Sequence, residues 1–359
     1  MKYGRLHLIA MLLVILAAVA ADAREVREFY NGIRALGMGG AAIAVVNDET
    51  ALLSNPAALG KVRDFYGTVV DPELDGSSII SNAYYSQPFG SPFEPADVQR
   101  TMDLQRESYY HARAQLFPSI VFTNFGLGVF GRNLLDARVN AAGSEMETYY
   151  LSDVAVLLGY NLRLWDGRIK IGVTGKAISR IEIDKTLATT GDLTIDGNAS
   201  EGVGLGADVG LIMTAPWMWL PTISAVVRDV GGTKFESGAG LRMKTTSRPN
   251  QIEQDIDVAL AVFPIHTNNI RSSFTLEYQK IKEAQLSTDK MRYAHAGYEL
   301  NLYDLFFVRA GMNQRYWTAG MELASEYTQI QLASYGEDVG TETEPKEDRR
   351  YVVKFTIRF

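Results

Sequence analysis

The last nine residues, "YVVKFTIRF" (351–359), decide how the rest of the chain is read. Side chains of a strand alternate between its two faces, so Tyr351, Val353, Phe355, Ile357 and Phe359 share one apolar face. Val352, Lys354, Thr356 and Arg358 share the other. An unbroken apolar face opposite a basic one suits a wall with lipid outside and a polar lumen inside. The plainer alternative is a terminal strand of a soluble sheet.

The other end of the chain favours the wall. "MKYGRLHLIAMLLVILAAVAADA" (1–23) carries Lys2 and Arg5, an apolar run from Leu8 to Ala21, and the small-x-small pattern Ala21-Asp22-Ala23. That is the layout of a secretory signal peptide, and the run is short for a membrane-crossing helix, which needs roughly 20 residues. Export is therefore expected, with a mature chain starting near Arg24. The chain has no cysteine, which removes lipoprotein anchoring, disulfides and thiolate metal sites. A net charge of −7 gives no reason to expect nucleic acid as a partner. With 18 Tyr, 15 Phe and 32 Gly the composition suits an all-β protein rich in turns.

Alternation recurs along the chain, as a barrel wall requires. In "IKIGVTGKAISRIEI" (169–183), Ile169, Ile171, Val173, Ala177, Ile181 and Ile183 face one way, and Lys170, Thr174, Lys176, Arg180 and Glu182 the other. "WDGR" (165–168) joins it in a hairpin to the segment before. Segments 203–213, 294–300, 306–312 and 317–324 alternate likewise, with Trp317 suited to an interfacial aromatic girdle. The inward positions collect Lys170, Lys176, Arg180, Arg228, Arg309, Lys354 and Arg358 against Glu182, Asp208, Asp257, Glu277, Glu299 and Glu322, with His295 among them. An ion-selective pore would show a ring of one sign; near-balance predicts ion pairs that hold the wall's shape. Residues 63–359 allow about 14 strands at roughly 20 residues per strand and connection, with 12 as the alternative. Two long polar connections, 86–119 and 336–350, are expected on the extracellular side, the first with a helix over about 97–114.

"LGMGGAAIAV" (36–45) fits the G-x-G-x-x-A of a dinucleotide-binding turn through Gly37, Gly39 and Ala42. The flanking strand, long helix and second strand which that reading needs are missing, and no cofactor is expected. Asn47 and Asp48 read as caps or turn residues of a short helix that Pro56 ends or kinks. Residues 24–62 read instead as a compact plug, packed by close backbone approach at Gly37, Gly39 and Gly40.

"GIRALGMGGAAIAVVNDETALLSNPAALGKV" (32–62), with Asn55-Pro56-Ala57 as its most specific part, resembles the N-terminal signature of FadL-like outer-membrane proteins. That group includes long-chain fatty-acid transporters and the PorV/PorQ-type barrels of type IX secretion. "IKIGVTGKAISR", "GLGADVGL", "SAVVRDVGG" and "RAGMNQRYWTAGMEL" extend the resemblance over almost the whole mature chain. The terminal strand resembles the C-terminal assembly signal of such barrels, through which the barrel assembly machinery would act. The resemblance implies a 14-stranded antiparallel barrel in the bacterial outer membrane, its N-terminal segment a hatch inside the lumen.

In the transporter branch an apolar pocket takes a hydrophobic ligand that leaves sideways into the membrane. In the PorV-like branch the barrel docks secreted or cell-surface protein partners instead. "FTNFGLGVFG" (122–131) places Asn124, Gly126, Gly128 and Gly131 where a kinked strand would open a lateral gap; a simple bend is the plainer reading. "PWMWLP" (216–221) would line an entrance or, more plainly, anchor the interface. The short chain and ionic lumen count against uptake of an apolar ligand, and both functions stay open here. There is no G-x-S-x-G, no H-E-x-x-H and no calcium-loop spacing, so no enzyme is expected. His295 reads as part of the lumen's polar network.

Overall fold

The computed structural model describes residues 25–63, 65–80, 90–236, 241–243 and 245–359. The expected signal segment 1–23 and residues 86–89 of the first long connection lie outside these. The sheet closes on itself as an antiparallel barrel of 14 wall strands. In chain order they are β1 (Tyr66–Val70 and Glu73–Ser77), β2 (Tyr110–Leu116 and Ser119–Phe122), β3 (Phe125–Val139), β4 (Glu145–Leu164) and β5 (Ile169–Ala188). β6 (Ser200–Thr214), β7 (Thr222–Arg228), β8 (Asp255–Val262 and Ile265–Thr267), β9 (Ile270–Tyr278) and β10 (Ala294–Leu302) follow. β11 (Phe306–Asn313), β12 (Tyr316–Ala324), β13 (Thr328–Asp338) and β14 (Glu347–Arg358) complete the wall.

Closure joins β1 to β14, with Leu74 opposite Val353. Beyond the last strand residue, Phe359 and Gly67 exchange backbone hydrogen bonds of 2.9 and 3.1 Å. Tyr351, Val353, Phe355, Ile357 and Phe359 are exposed on the outer face, while Val352, Lys354 and Thr356 are buried inside. The same alternation holds along β4, where Val154, Val156, Leu158, Tyr160 and Leu162 are exposed. This outer apolar band is the surface a bilayer solvates.

The wall is uneven in height. β4 and β5 have 20 residues each, whereas β7 has seven and β11 eight. The extra length rises on the side of the long connections, and there the outer faces are covered. Ile181 and Ile183, expected to face lipid, are buried with Leu135, Val139 and Tyr150 beneath Val98 and Met102 of the helix Pro95–Met102. That helix is shorter than the expected 97–114, because Tyr110–Leu116 belongs to β2.

Residues 25–62 lie against the inner face of the wall. They include two short helices, Ile33–Gly37 and Ala51–Ser54, and a 3₁₀ turn, Pro56–Lys61. Asn55 caps the last through its side chain, which accepts from the Ala57 N–H. Asp48 forms a turn by accepting from the Thr50 N–H, and Asn47 accepts from Arg34; neither caps a helix as expected.

Glycines on the wall's inner face let this segment approach. A Cβ on Gly172 would lie 2.2 Å from the Pro56 carbonyl, and one on Gly210 would lie 2.1 Å from Asn55 Oδ1. Gly297 and Gly311 make room for Met38 and Gly39, and Gly126 and Gly159 for Leu52 and Leu59. Gly39 (φ 69°) and Gly40 (φ 84°) need glycine on two counts: a left-handed backbone, and contact with β10 and β11 that leaves no room for a Cβ.

Gly172→Ala must therefore displace backbone at Pro56, at a cost of about 1–3 kcal/mol. The expected outcome is faster amide exchange over residues 50–60 while the barrel stays folded. Gly175→Ala, whose nearest neighbour is the Leu158 carbonyl at 4.0 Å, is the matched control. Equal exchange in the two variants would contradict the seating described.

Candidate functional site

The turns 165–168 and 303–305 lie at the same end as Phe359, and the longest connections lie at the other. By the usual asymmetry of such barrels, the first end is periplasmic and the second extracellular. The N-terminal segment descends between them. Glu25 pairs with Arg350 near the top of β14, and the Leu59 carbonyl accepts from Asn124 in the bottom turn between β2 and β3.

In its lower part the lumen is apolar, which the sequence reading missed. Phe117, Phe130, Leu157, Ile178 and Ile212 project inward, where they enclose Phe29, Tyr30, Leu52, Leu53 and Leu59 in one buried cluster. The Phe29 and Phe130 rings stand 5.3 Å apart. Phe130, Leu157, Ile178 and Ile212 have the inward parity of the alternation, the signal by which the sequence marks them.

The irregular segment takes its backbone hydrogen bonds from wall side chains. Glu277 Oε2 accepts from Ala42 and Ile43 N–H at 2.8 and 3.0 Å. Thr318 accepts from Gly39 N–H and donates to the Gly37 carbonyl. His295 Nδ1 lies 2.8 Å from the Gly39 carbonyl, and Asn161 donates to the Ala57 carbonyl. Asn55 points outward from the segment and donates to Ile43 O and to Ser224 Oγ of β7, both at 2.8 Å.

The inward charges form discrete pairs. Lys176 reaches Asp208 and Asp229, each at 2.9 Å, and Arg228 pairs with Asp257. Arg309 bridges Glu299 at 2.7 Å and also Glu322, and Arg34 of the N-terminal segment adds a second contact to Glu299 at 2.8 Å. Lys354 meets Asp71 at 3.1 Å, and Arg180 meets Asp153 at 2.8 Å. Lys170 instead donates to the Gly167 carbonyl, Glu182 accepts from the Asn250 N–H, and Arg358 stacks over Tyr66. Arg34, Asp71, Asp153 and Asp229 were not singled out from sequence. Asp153 had the inward parity of β4, while Arg34, Asp71 and Asp229 lie outside regular strand pattern.

Above the N-terminal segment is a cavity of about 500 Å³, lined among others by Glu28, Phe29, Tyr149, Glu182, Arg180 and Arg132. Beside it Glu25, His111 and Asp136 bring ligand-type atoms within 4.8 Å of one another. His111 Nδ1 is 2.6 Å from Asp136 Oδ1, a hydrogen-bond separation, and Arg350 covers both oxygens of Glu25. The chemistry of that cluster is ion pairing. Burial pushes Glu28 up to about 7 against the opposing pull of Arg228. Burial, then Asp48, does the same to Glu49. Burial alone would raise Glu25, but Arg350 outweighs it and holds the carboxyl well below the usual range.

The residues expected to mark a gap do not interrupt the wall. Asn124 is a turn residue (φ 69°), Gly126 receives Leu52 and Leu59, Gly128 abuts Phe117, and Gly131 stays paired with Leu116. Wall strands are broken instead at Asp71-Pro72 in β1, at Phe117-Pro118 in β2 and at Phe263-Pro264 in β8. Proline cannot donate to a ladder. Asp71 Oδ1 stitches β1 to β2 by accepting from Phe117 N–H, and the Pro72 carbonyl ties β1 to β14 by accepting from Phe355 N–H at 3.2 Å.

No family model matches the sequence, and no curated protein matches it. Solved structures do match the fold. The CymD monoaromatic hydrocarbon channel aligns with a TM-score of 0.54 at 10% identity over 91% of this chain and 97% of its own. The Pseudomonas putida toluene transporter TodX aligns with a TM-score of 0.51 at 13% identity over 92% and 98%. A Pseudomonas aeruginosa FadL homologue aligns with a TM-score of 0.50 at 9% identity over 94% and 99%. The expected fold is the observed one: a 14-stranded antiparallel barrel with the fold of these channel structures.

Proposed function

We propose that the chain is an outer-membrane channel barrel that admits small molecules of hydrophobic character, with residues 25–62 as its hatch. The observation that carries this reading is the apolar belt of the lower lumen. Phe117, Phe130, Leu157, Ile178 and Ile212 line the wall where a conduit would run, and the hatch fills the belt with its own apolar side chains. Moving those side chains aside exposes a path that suits an apolar guest. The fold shared with hydrocarbon channels supports the same reading. Sideways release belongs at the β1–β2 seam, where Pro72 and Pro118 each remove a ladder donor.

The test is entry of the apolar dye N-phenylnaphthylamine into intact cells. Cells with the barrel should take it up several-fold faster than cells without it. Asn55→Ala removes three hydrogen bonds that hold the hatch, each worth about 1 kcal/mol. It should raise entry further and admit hydrophilic antibiotics. Dye entry equal to the barrel-free control, with the protein folded in the membrane, would overturn the channel reading. A stoichiometric protein partner on the purified barrel would then favour docking.

Hatch seating should also strengthen as pH falls from 7 to 5. Glu28 and Glu49 are each raised to about 7 when seated, against 4.5 when free. A raised acid binds its proton more tightly in the seated state, so its contribution is lost as pH rises through the seated value. Lys61, lowered by burial to about 7, is protonated in both states across most of this window and contributes little. Amide protection over residues 26–50, taken relative to the intrinsic exchange rate at each pH, should rise at pH 5, and Glu28→Gln should remove part of that change.

A further inference from the structure

The cavity above the hatch is charged, and its charges are not balanced. Each arginine that faces it already meets at least one carboxylate, Arg132 and Arg180 sharing theirs. Arg27 meets Asp136 at 3.4 Å, and Arg113 meets Asp75 and Glu73 at 2.8 and 3.3 Å. Arg132 and Arg180 share Asp153 at 2.7 and 2.8 Å, and Arg350 holds Glu25 and Asp348, both at 2.8 Å. His111 adds one further titratable group between Asp75 and Asp136.

Four other carboxylates of the lining, Glu28, Glu182, Glu253 and Glu337, are held more weakly. Among the described residues, Glu182, Glu253 and Glu337 receive only amide donors, from Asn250, Gln251, and Asn313 with Gln314 respectively. Glu28 is the most exacting case. Its side chain is 9% exposed, its Oε1 is buried with no hydrogen-bond partner, and its Oε2 is 3.4 Å from an Arg228 already paired with Asp257. Phe29 and Tyr149 complete the lining with aromatic faces, and the Tyr149 face carries the Arg27 guanidinium at 3.5 Å.

We infer that this cavity selects positively charged amphipathic guests, of the class of a single aromatic ring bearing an ammonium, over their carboxylate counterparts. Surplus carboxylate oxygen attracts a cation, and a guest carboxylate would add repulsion to a site that is short of compensating charge. The upward shift of Glu28 has the same origin: its charge is buried without enough opposing charge. A cavity of about 500 Å³ lies within the range of small-molecule sites, and one ring with a two-carbon ammonium arm fits it. The inference deepens the channel reading by naming the guest that the lumen's antechamber prefers.

The test measures binding, not transport, and so separates the two. The purified barrel in mild detergent is titrated with phenethylammonium and with phenylacetate, which share a ring and similar chain length, by calorimetry at pH 7.5. Phenethylammonium should bind about tenfold tighter or more. Glu28→Gln and Glu182→Gln, each checked for heat-modifiable folding, should bring the two affinities within about twofold of each other. Glu147→Gln, which alters an exposed pair with Arg138, should leave the preference intact. Equal affinities, tighter phenylacetate, or a preference unchanged in both cavity variants would overturn the inference. Dye entry without a cation preference would sink it and leave the channel standing, while a cation preference without dye entry would do the reverse.

Discussion

An irregular segment threaded through a closed barrel must find a partner for each buried backbone polar group, because no ladder is left to supply one. The wall of this barrel answers with side chains. Glu277, Thr318, His295, Asn161 and Ser224 each bond a main-chain group of the segment. Glycines stand between them wherever the two backbones touch. Seating therefore depends on register: a slip by one residue would turn every hydroxyl and carboxylate outward and leave hatch N–H groups unpaired.

The same constraint explains why the lumen carries so many charges without a conducting ring. A buried charge costs heavily unless it is paired and hydrogen-bonded. Arg309 sits between Glu299 and Glu322, and Lys176 between Asp208 and Asp229, each between neighbouring elements of the wall. Arg34 extends one such group into the hatch itself. The ionic and apolar parts of the lumen thus divide the work. The apolar belt gives the hatch a core to bury, and the charged groups fix its position around that core.

Much of this was legible in the sequence, because the alternation that separates lipid from lumen has a period of two and survives without any knowledge of neighbours. Inward cations such as Lys176, Arg180 and Arg309 could be read that way. Their partners mostly could not, since Asp208 meets Lys176 across strands joined by a long connection, and only the folded sheet sets that register. Asp71 lies in a strand break, where periodicity says nothing. The glycines misled for a related reason. Gly126 and Gly128 are what a hinge would show, yet both sit where something packs on them: hatch leucines on the first and Phe117 on the second. Glycine marks close approach, and sequence alone does not tell what approaches.

The uneven height of the wall ties these features together. β3 to β5 rise well above the level that β7 to β12 reach. An apolar outer face raised out of the bilayer needs another cover, and the helix Pro95–Met102 supplies it over Ile181 and Ile183. The inner faces of the same raised strands carry Arg132, Tyr149, Arg180 and Glu182, which are lining residues of the cavity. The cavity is thus bounded by the tall strands on one side and by residues 250–253 of the β7–β8 connection on another. It stands at the level of the outer loops, where water and headgroups keep charged side chains soluble, while the apolar belt lies deeper, at the level of the hydrocarbon. On the channel reading proposed above, a guest entering from outside would meet charge first and grease second, an order that an amphipathic molecule matches better than a purely apolar one.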